Sequence, residues 1–123
     1  MSSEVLYVED DVICQVLVKR VLEQALSCQV FAVGNAYDAL DRVATRLPAL
    51  VIVDLGLPGL DGFALHRLLP PLLPCVALTA LTDTDTQRRC DRAGFQAVLF
   101  KPFELLVMVT TVRELLLLSP SAV

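Results

Sequence analysis

Hydrophobic positions along this chain alternate between two patterns. Short, mostly apolar runs at Val5–Val8, Gln29–Val33, Ala49–Asp54, Cys75–Leu78 and Ala97–Phe100 read as strands buried on both faces. Between them, apolar residues recur at helical spacing. The spacing predicts a helix over Val12–Leu26 with Cys14, Leu17, Val18, Val21, Leu22 and Ala25 inward. A second helix over Ala36–Arg46 turns Ala36, Leu40, Val43, Ala44 and the following Leu47 inward. Shorter helices are predicted over Phe63–Leu69 and over the very polar Asp83–Ala93. The last helix, Glu104–Leu118, places Leu105, Met108, Val109, Val112, Leu115 and Leu116 on one stripe. Four more apolar residues, Leu106, Val107, Leu117 and Leu118, fall outside that stripe.

Turn residues punctuate the alternation where each element must stop. Gly34-Asn35 closes the second strand, Pro48 ends the second helix, Pro70-Pro71 ends the third and Gly94 caps the fourth. Five strands, each followed by its helix, imply right-handed crossovers, a parallel sheet and helices on both faces. The 123 residues form one domain, 1–123, with a short tail at 119–123 and no internal repeat or linker.

Composition narrows the function. The 55% hydrophobic content and mean hydropathy of +0.64 leave apolar surface available for a partner. Net charge is −4 without a basic block, which argues against nucleic acid as a direct ligand. Cys14, Cys28, Cys75 and Cys90 stand singly, as buried reduced thiols do in a cytosolic protein. The Glu4–Val8 segment is too short for a signal peptide, and the apolar runs are too short for a membrane span. A soluble, cytoplasmic protein is the expectation.

The strand ends carry the chemistry. Glu9, Asp10 and Asp11 follow the first strand, Asp54 closes the third, Thr79 the fourth and Lys101 the fifth. In a parallel sheet these ends share one edge, so the residues converge. Carboxylates brought together repel unless a cation joins them, and hard oxygen ligands in a partly open site suit magnesium. A lysine adds a second positive charge and a threonine a hydroxyl donor. The set suits phosphoryl transfer to a carboxylate, where catalysis is mostly positioning and charge neutralisation. Asp10 or Asp11 also suits a helix cap.

With these residues in place, the chain resembles the response regulator receiver domain, the CheY-like fold, over almost its whole length. The resemblance rests on LYVEDD (Leu6–Asp11), VIVDLGLPGLDG (Val51–Gly62), VALTA (Val76–Ala80) and the segment from Ala93-Gly94 to Lys101-Pro102-Phe103. It implies a flavodoxin-like, doubly wound five-stranded sheet of order 2-1-3-4-5. It implies that Asp54 accepts a phosphoryl group from a histidine of a sensor kinase or phosphotransfer protein in a two-component phosphorelay. Asp10 and Asp54 would bind Mg2+ directly, Glu9 through water, and the Gly56 carbonyl would complete the protein's share. Thr79 would hydrogen-bond a phosphoryl oxygen, Lys101 would pair with it, and Lys101-Pro102 would be cis. Asp11 would serve the helix start, and His66 would be an ordinary helix residue. Such a domain catalyses only its own phosphorylation and dephosphorylation. The surplus leucines of the last helix, Leu106 and Leu117 among them, would support a homodimer.

The chain departs from the family pattern near Lys101, where Phe95 and Phe100 stand in places that usually hold smaller or polar residues. Three residues before Lys101, where the family usually has Tyr or Phe, stands Val98. An interaction module that keeps the fold without using phosphate is therefore the first alternative. A phosphatase of the haloacid dehalogenase type would want a second Asp two residues after Asp54, where Gly56 stands. A flavodoxin would need a first loop that cradles phosphate, and here that loop is acidic.

Overall fold

The computed structural model describes residues 3–102 and 104–118; Phe103 and the tail lie outside the described residues. Among the described residues the order is β1 (Ser3–Val8), α1 (Val12–Ala25), β2 (Cys28–Val33), α2 (Ala36–Thr45) and β3 (Leu50–Asp54). It continues with α3 (Gly62–Leu68), β4 (Cys75–Thr79), α4 (Thr84–Ala93), β5 (Ala97–Phe100) and α5 (Leu105–Leu117). The strands pair in parallel in the order β2-β1-β3-β4-β5, as the resemblance implied.

Two cores sandwich the sheet, and the period of two along each strand decides which residue enters which. Leu6, Val8, Val51, Val53, Cys75 and Ala77 face one side with α2, α3 and α4, where Ala39, Phe63, Leu65 and Cys90 meet them. Val5, Tyr7, Leu50, Ile52, Val76 and Leu78 face the other side, against Val18 and Leu22 of α1 and Met108, Val109 and Val112 of α5. The central strands are thus buried on both faces, which is why their sequence reads as unbroken apolar runs.

Helix starts are written in carboxylates and amides. Asp11 accepts from the amides of Ile13 and Cys14, Asn35 from Asp38, Asp61 from Ala64 and Asp83 from Thr86. Each satisfies a backbone donor that the first helical turn leaves free. Gly94 closes α4 in the left-handed region at φ 94°, as its place in the sequence predicts.

The expected inward stripes of α1 and α2 need correction. In α1, Val18 and Leu22 are buried and Cys14 and Val21 half-buried, but Leu17 and Ala25 are exposed. This helix lies over the edge of the sheet beside β2, so only a narrow stripe meets the core. In α2 the buried pair is Ala36 and Ala39; Ala44, within the last turn, is exposed, and Leu47 is exposed because the helix ends at Thr45 and no longer sets its direction. Cys14 is likewise half-buried rather than buried like Cys28, Cys75 and Cys90. Burial pushes the Cys75 thiol up to about 12.

The outer edge of β2 is partly closed by α1. Lys19 Nζ donates to the Val30 carbonyl at 2.9 Å, and the Val30 amide donates to Glu23 Oε2 at 2.7 Å. Lys19 and Glu23 also pair with each other at 2.9 Å.

Candidate functional site

At the carboxyl edge of the sheet, strand order reverses between β1 and β3, and the crevice opens there. Glu9 follows β1 directly. It is 1% exposed, and its carboxylate accepts three hydrogen bonds. The donors are Tyr7 Oη at 3.1 Å, Lys101 Nζ at 2.7 Å and the Asp11 amide at 3.3 Å. Gln15 of α1 donates to the Glu9 backbone carbonyl, fixing the turn. Asp10 is exposed, and Asp11 caps α1. Of the two candidates for the helix cap, Asp11 is thus the one that serves it.

Asp54 closes β3 and is 7% exposed. Its Oδ1 accepts from the Gly56 amide at 2.8 Å and its Oδ2 from Lys101 Nζ at 2.8 Å. Gly62 allows the loop to return this close. A Cβ there would stand 2.8 Å from the Asp54 carbonyl oxygen and 2.8 Å from the Leu55 Cα. Lys101 comes from the end of β5, where its peptide bond to Pro102 is cis, and its amide bonds to the Thr79 carbonyl at 2.7 Å. One ammonium therefore joins two carboxylates that are 45 positions apart in the chain.

Thr79 is buried at the end of β4, where its Oγ1 accepts from the Leu81 amide at 3.0 Å. That bond uses a lone pair and leaves the hydroxyl proton free to donate. Thr79, Asp54, Gly56 and Lys101 line a cavity of about 430 Å³, which Asp61, Phe63, Thr86 and Arg89 complete on the α3 and α4 side.

The electrostatics sort the acids. Burial raises Asp54, but the bonds from Lys101 and the Gly56 amide outweigh it and hold its carboxyl below the usual range, so it is ionised. Burial of Glu9 dominates over its bond from Lys101, and its carboxyl is held above the usual range. Desolvation would lower Lys101, yet its two carboxylate partners raise it above an ordinary lysine. Tyr7 is raised by burial and by Glu9, so it stays a donor.

Glu9, Asp10 and Asp54 each offer a carboxylate oxygen, all within 4.8 Å of one another. Two of the three are buried, so the donor set fits a hard divalent cation, which would relieve the mutual repulsion that Lys101 only partly offsets. Tyr7 and Arg89 did not stand out in the sequence. Tyr7 shares the side of Glu9 by the period of two along β1, a signal hidden inside an apolar strand. Nothing in the spacing links Arg89 to the crevice.

A doubly wound parallel sheet with a lysine-bridged acidic crevice at its switch point is a fold class with a narrow set of chemistries. The family model of the response regulator receiver domain matches residues 5–113. The chain belongs to that family. It is 34% identical over 102 residues to the DNA-binding transcriptional regulator NtrC of Klebsiella pneumoniae, an alignment covering 80% of this chain and 21% of that protein. An uncharacterized 14.6 kDa protein of Leptolyngbya boryana is 33% identical over 124 residues, covering 97% of this chain and 94% of that one. Among solved structures, a putative response regulator from Chloroflexus aurantiacus superposes with a TM-score of 0.86 at 30% identity, covering 94% of this chain and 98% of that one. The chain thus spans about a fifth of the length of the NtrC relative. Among the described residues no helix is long and apolar enough to cross a membrane.

Proposed function

We propose that this chain is a phosphorylation-controlled receiver in which Asp54 accepts a phosphoryl group from a phosphohistidine on a sensor kinase or phosphotransfer protein. The observation that carries the reading is Asp54 itself: it lines the cavity and is paired with Lys101 at 2.8 Å beside the buried Glu9. An Asp54 oxygen attacks phosphorus, the P–N bond breaks, and its electron pair returns to the imidazole. Lys101 neutralises charge that gathers on the phosphoryl oxygens, and the free Thr79 hydroxyl donates to one of them. Water attack on the acyl phosphate reverses the modification, so the chain catalyses only its own phosphorylation and dephosphorylation.

Asp10 and Asp54 would hold Mg2+ directly, with Glu9 through water and the Gly56 carbonyl as the remaining protein ligand. When bound, the ion would supply positive charge that offsets these carboxylates and the incoming phosphoryl oxygens. The single His66, on α3, packs against Phe95 with ring centroids 4.3 Å apart, and the donor histidine belongs to the partner.

Incubation with acetyl phosphate and Mg2+, followed by intact mass, tests the reading. One phosphoryl group is expected on the wild type, none on Asp54→Asn, and a large loss with excess chelator. Addition that persists in Asp54→Asn would refute the acceptor assignment. A wild type that takes up nothing would leave the phosphate-independent interaction module, which Val98, packed against the α2, α3 and α4 core, favours over an aromatic switch.

A further inference from the structure

The crevice is lined by a second cation that the acidic cluster does not use. Arg89, exposed on α4, holds its guanidinium carbon 3.9 Å over the ring of Phe63. Phe63 directly follows Gly62, the residue pressed against the backbone of Asp54. Arg89 therefore lines the same cavity as Asp54, Thr79 and Lys101. Among the described residues it makes no ion pair.

Charge makes such a cation matter. Three carboxylates meet here, and Lys101 is already bonded to two of them. An acyl phosphate carries roughly two negative charges at neutral pH where the Asp54 carboxylate carried one, and it places them on oxygens further out in the cavity. A guanidinium resting on a ring at an exposed site is held weakly, whereas its pairing with a phosphoryl oxygen is charge-assisted and can be bidentate. The anion outcompetes the ring.

We propose that Arg89 is a phosphoryl-binding residue. It leaves Phe63 and pairs with the phosphoryl group once Asp54 carries it, drawing α4 towards the site. This rests on the reading of Asp54 as acceptor. The exchange also gives the phosphorylated state a route outward that needs no aromatic at Val98. Phe63 stands edge-on to Phe95 at 5.9 Å, and Phe95 touches His66, so uncovering the Phe63 ring changes a cluster of three rings that ties α3 to the turn after α4.

Acetyl phosphate and beryllofluoride, a tetrahedral mimic of the phosphoryl group, test this on the whole chain with Mg2+. With acetyl phosphate, an Asp54 oxygen attacks phosphorus, the P–O bond breaks, and acetate leaves with the electron pair. Arg89→Ala is expected to weaken beryllofluoride binding about tenfold and to raise KM for acetyl phosphate more than it lowers the saturated rate. Arg89→Lys should recover part of the loss, and the Phe63 ring resonances should shift on adding beryllofluoride to the wild type. Arg89→Ala that binds beryllofluoride and uses acetyl phosphate like wild type would overturn the role of Arg89 and leave Asp54 as acceptor. A wild type that takes up neither probe would overturn both.

Discussion

A methyl group on Gly62 would sit 2.8 Å from the backbone oxygen of Asp54. The first residue of α3 and the last residue of β3 touch through backbone alone, so the loop between them is drawn tight beneath the acidic crevice. Gly62→Ala must push β3 and α3 apart, because neither backbone neighbour can rotate away. A loss of about 2 kcal/mol is expected, within the usual cost of overpacking. Urea denaturation measures it, and a midpoint equal to wild type would show that the loop gives freely.

Lys101 is the only ion-pair partner of Glu9 and Asp54 among the described residues. In metal-free buffer Lys101→Met should lower stability by about 2 kcal/mol, a buried-pair loss reduced because a quarter of the lysine side chain is exposed. Adding Asp54→Asn to that variant should recover most of the loss, since one unpaired charge is gone. Equal stabilities of Lys101→Met and the double variant would remove Asp54 from the pair.

Neighbouring acids should fail in different ways. Asp11→Ala removes a cap that serves the Ile13 and Cys14 amides, so it should cost about 1 kcal/mol of stability and leave metal affinity nearly unchanged. Asp10→Asn should weaken Mg2+ by more than about tenfold with little change in stability. Metal titration and denaturation of both variants decide this. Equal losses of affinity would mean that the cluster is read one residue out.

How legible was this site before the fold was known? Asp54 and Lys101 each end a mostly apolar run, and Glu9 directly follows one, so the strand pattern alone delivers them to one edge. The cap at Gly94 was legible too, while Asp83, read as the first helical residue, proves to be the N-cap of α4. The stripes of α1 and α2 were not fully legible. Periodicity says that Leu17 and Ala44 share a side with core residues, but not where a helix lies on the sheet or where it stops. Arg89 was invisible because its contact with Phe63 joins two helices through a side chain.

Acid should expose the partly buried His66. Desolvation holds its imidazole below the ordinary 6.5, so the unfolded chain takes up the proton more readily than the folded one. Its contribution to stability is complete above pH 6.5 and declines as pH falls from that value to the folded one, below which it levels off. Denaturant midpoints between pH 7.5 and 5.5 should fall more steeply for wild type than for His66→Gln. Parallel curves would place the acid sensitivity elsewhere.

Leu106 and Leu117 of α5, and Leu118 at its C-terminal cap, lie outside the core stripe and are 74%, 76% and 78% exposed. A second copy of the chain is the occupant proposed for that face. Each leucine buried there would contribute roughly 1.5–3 kcal/mol before the cost of docking. Sedimentation of wild type and of Leu106→Glu/Leu117→Glu, with and without acetyl phosphate, should show association only in wild type. A wild type monomeric in both states at high concentration ends the homodimer.

The bonds from Lys19 and Glu23 to Val30 bear on what happens between molecules at high concentration. An open strand edge offers alternating donors and acceptors on which a foreign strand can grow, and so seeds aggregation. At the middle of β2 both groups are occupied by one turn of α1. An intruding strand would have to separate an ion pair and strip two backbone bonds before forming its own. For a chain that is 55% hydrophobic, this two-residue plug guards colloidal stability as well as folding. Its loss would show first as turbidity in concentrated samples.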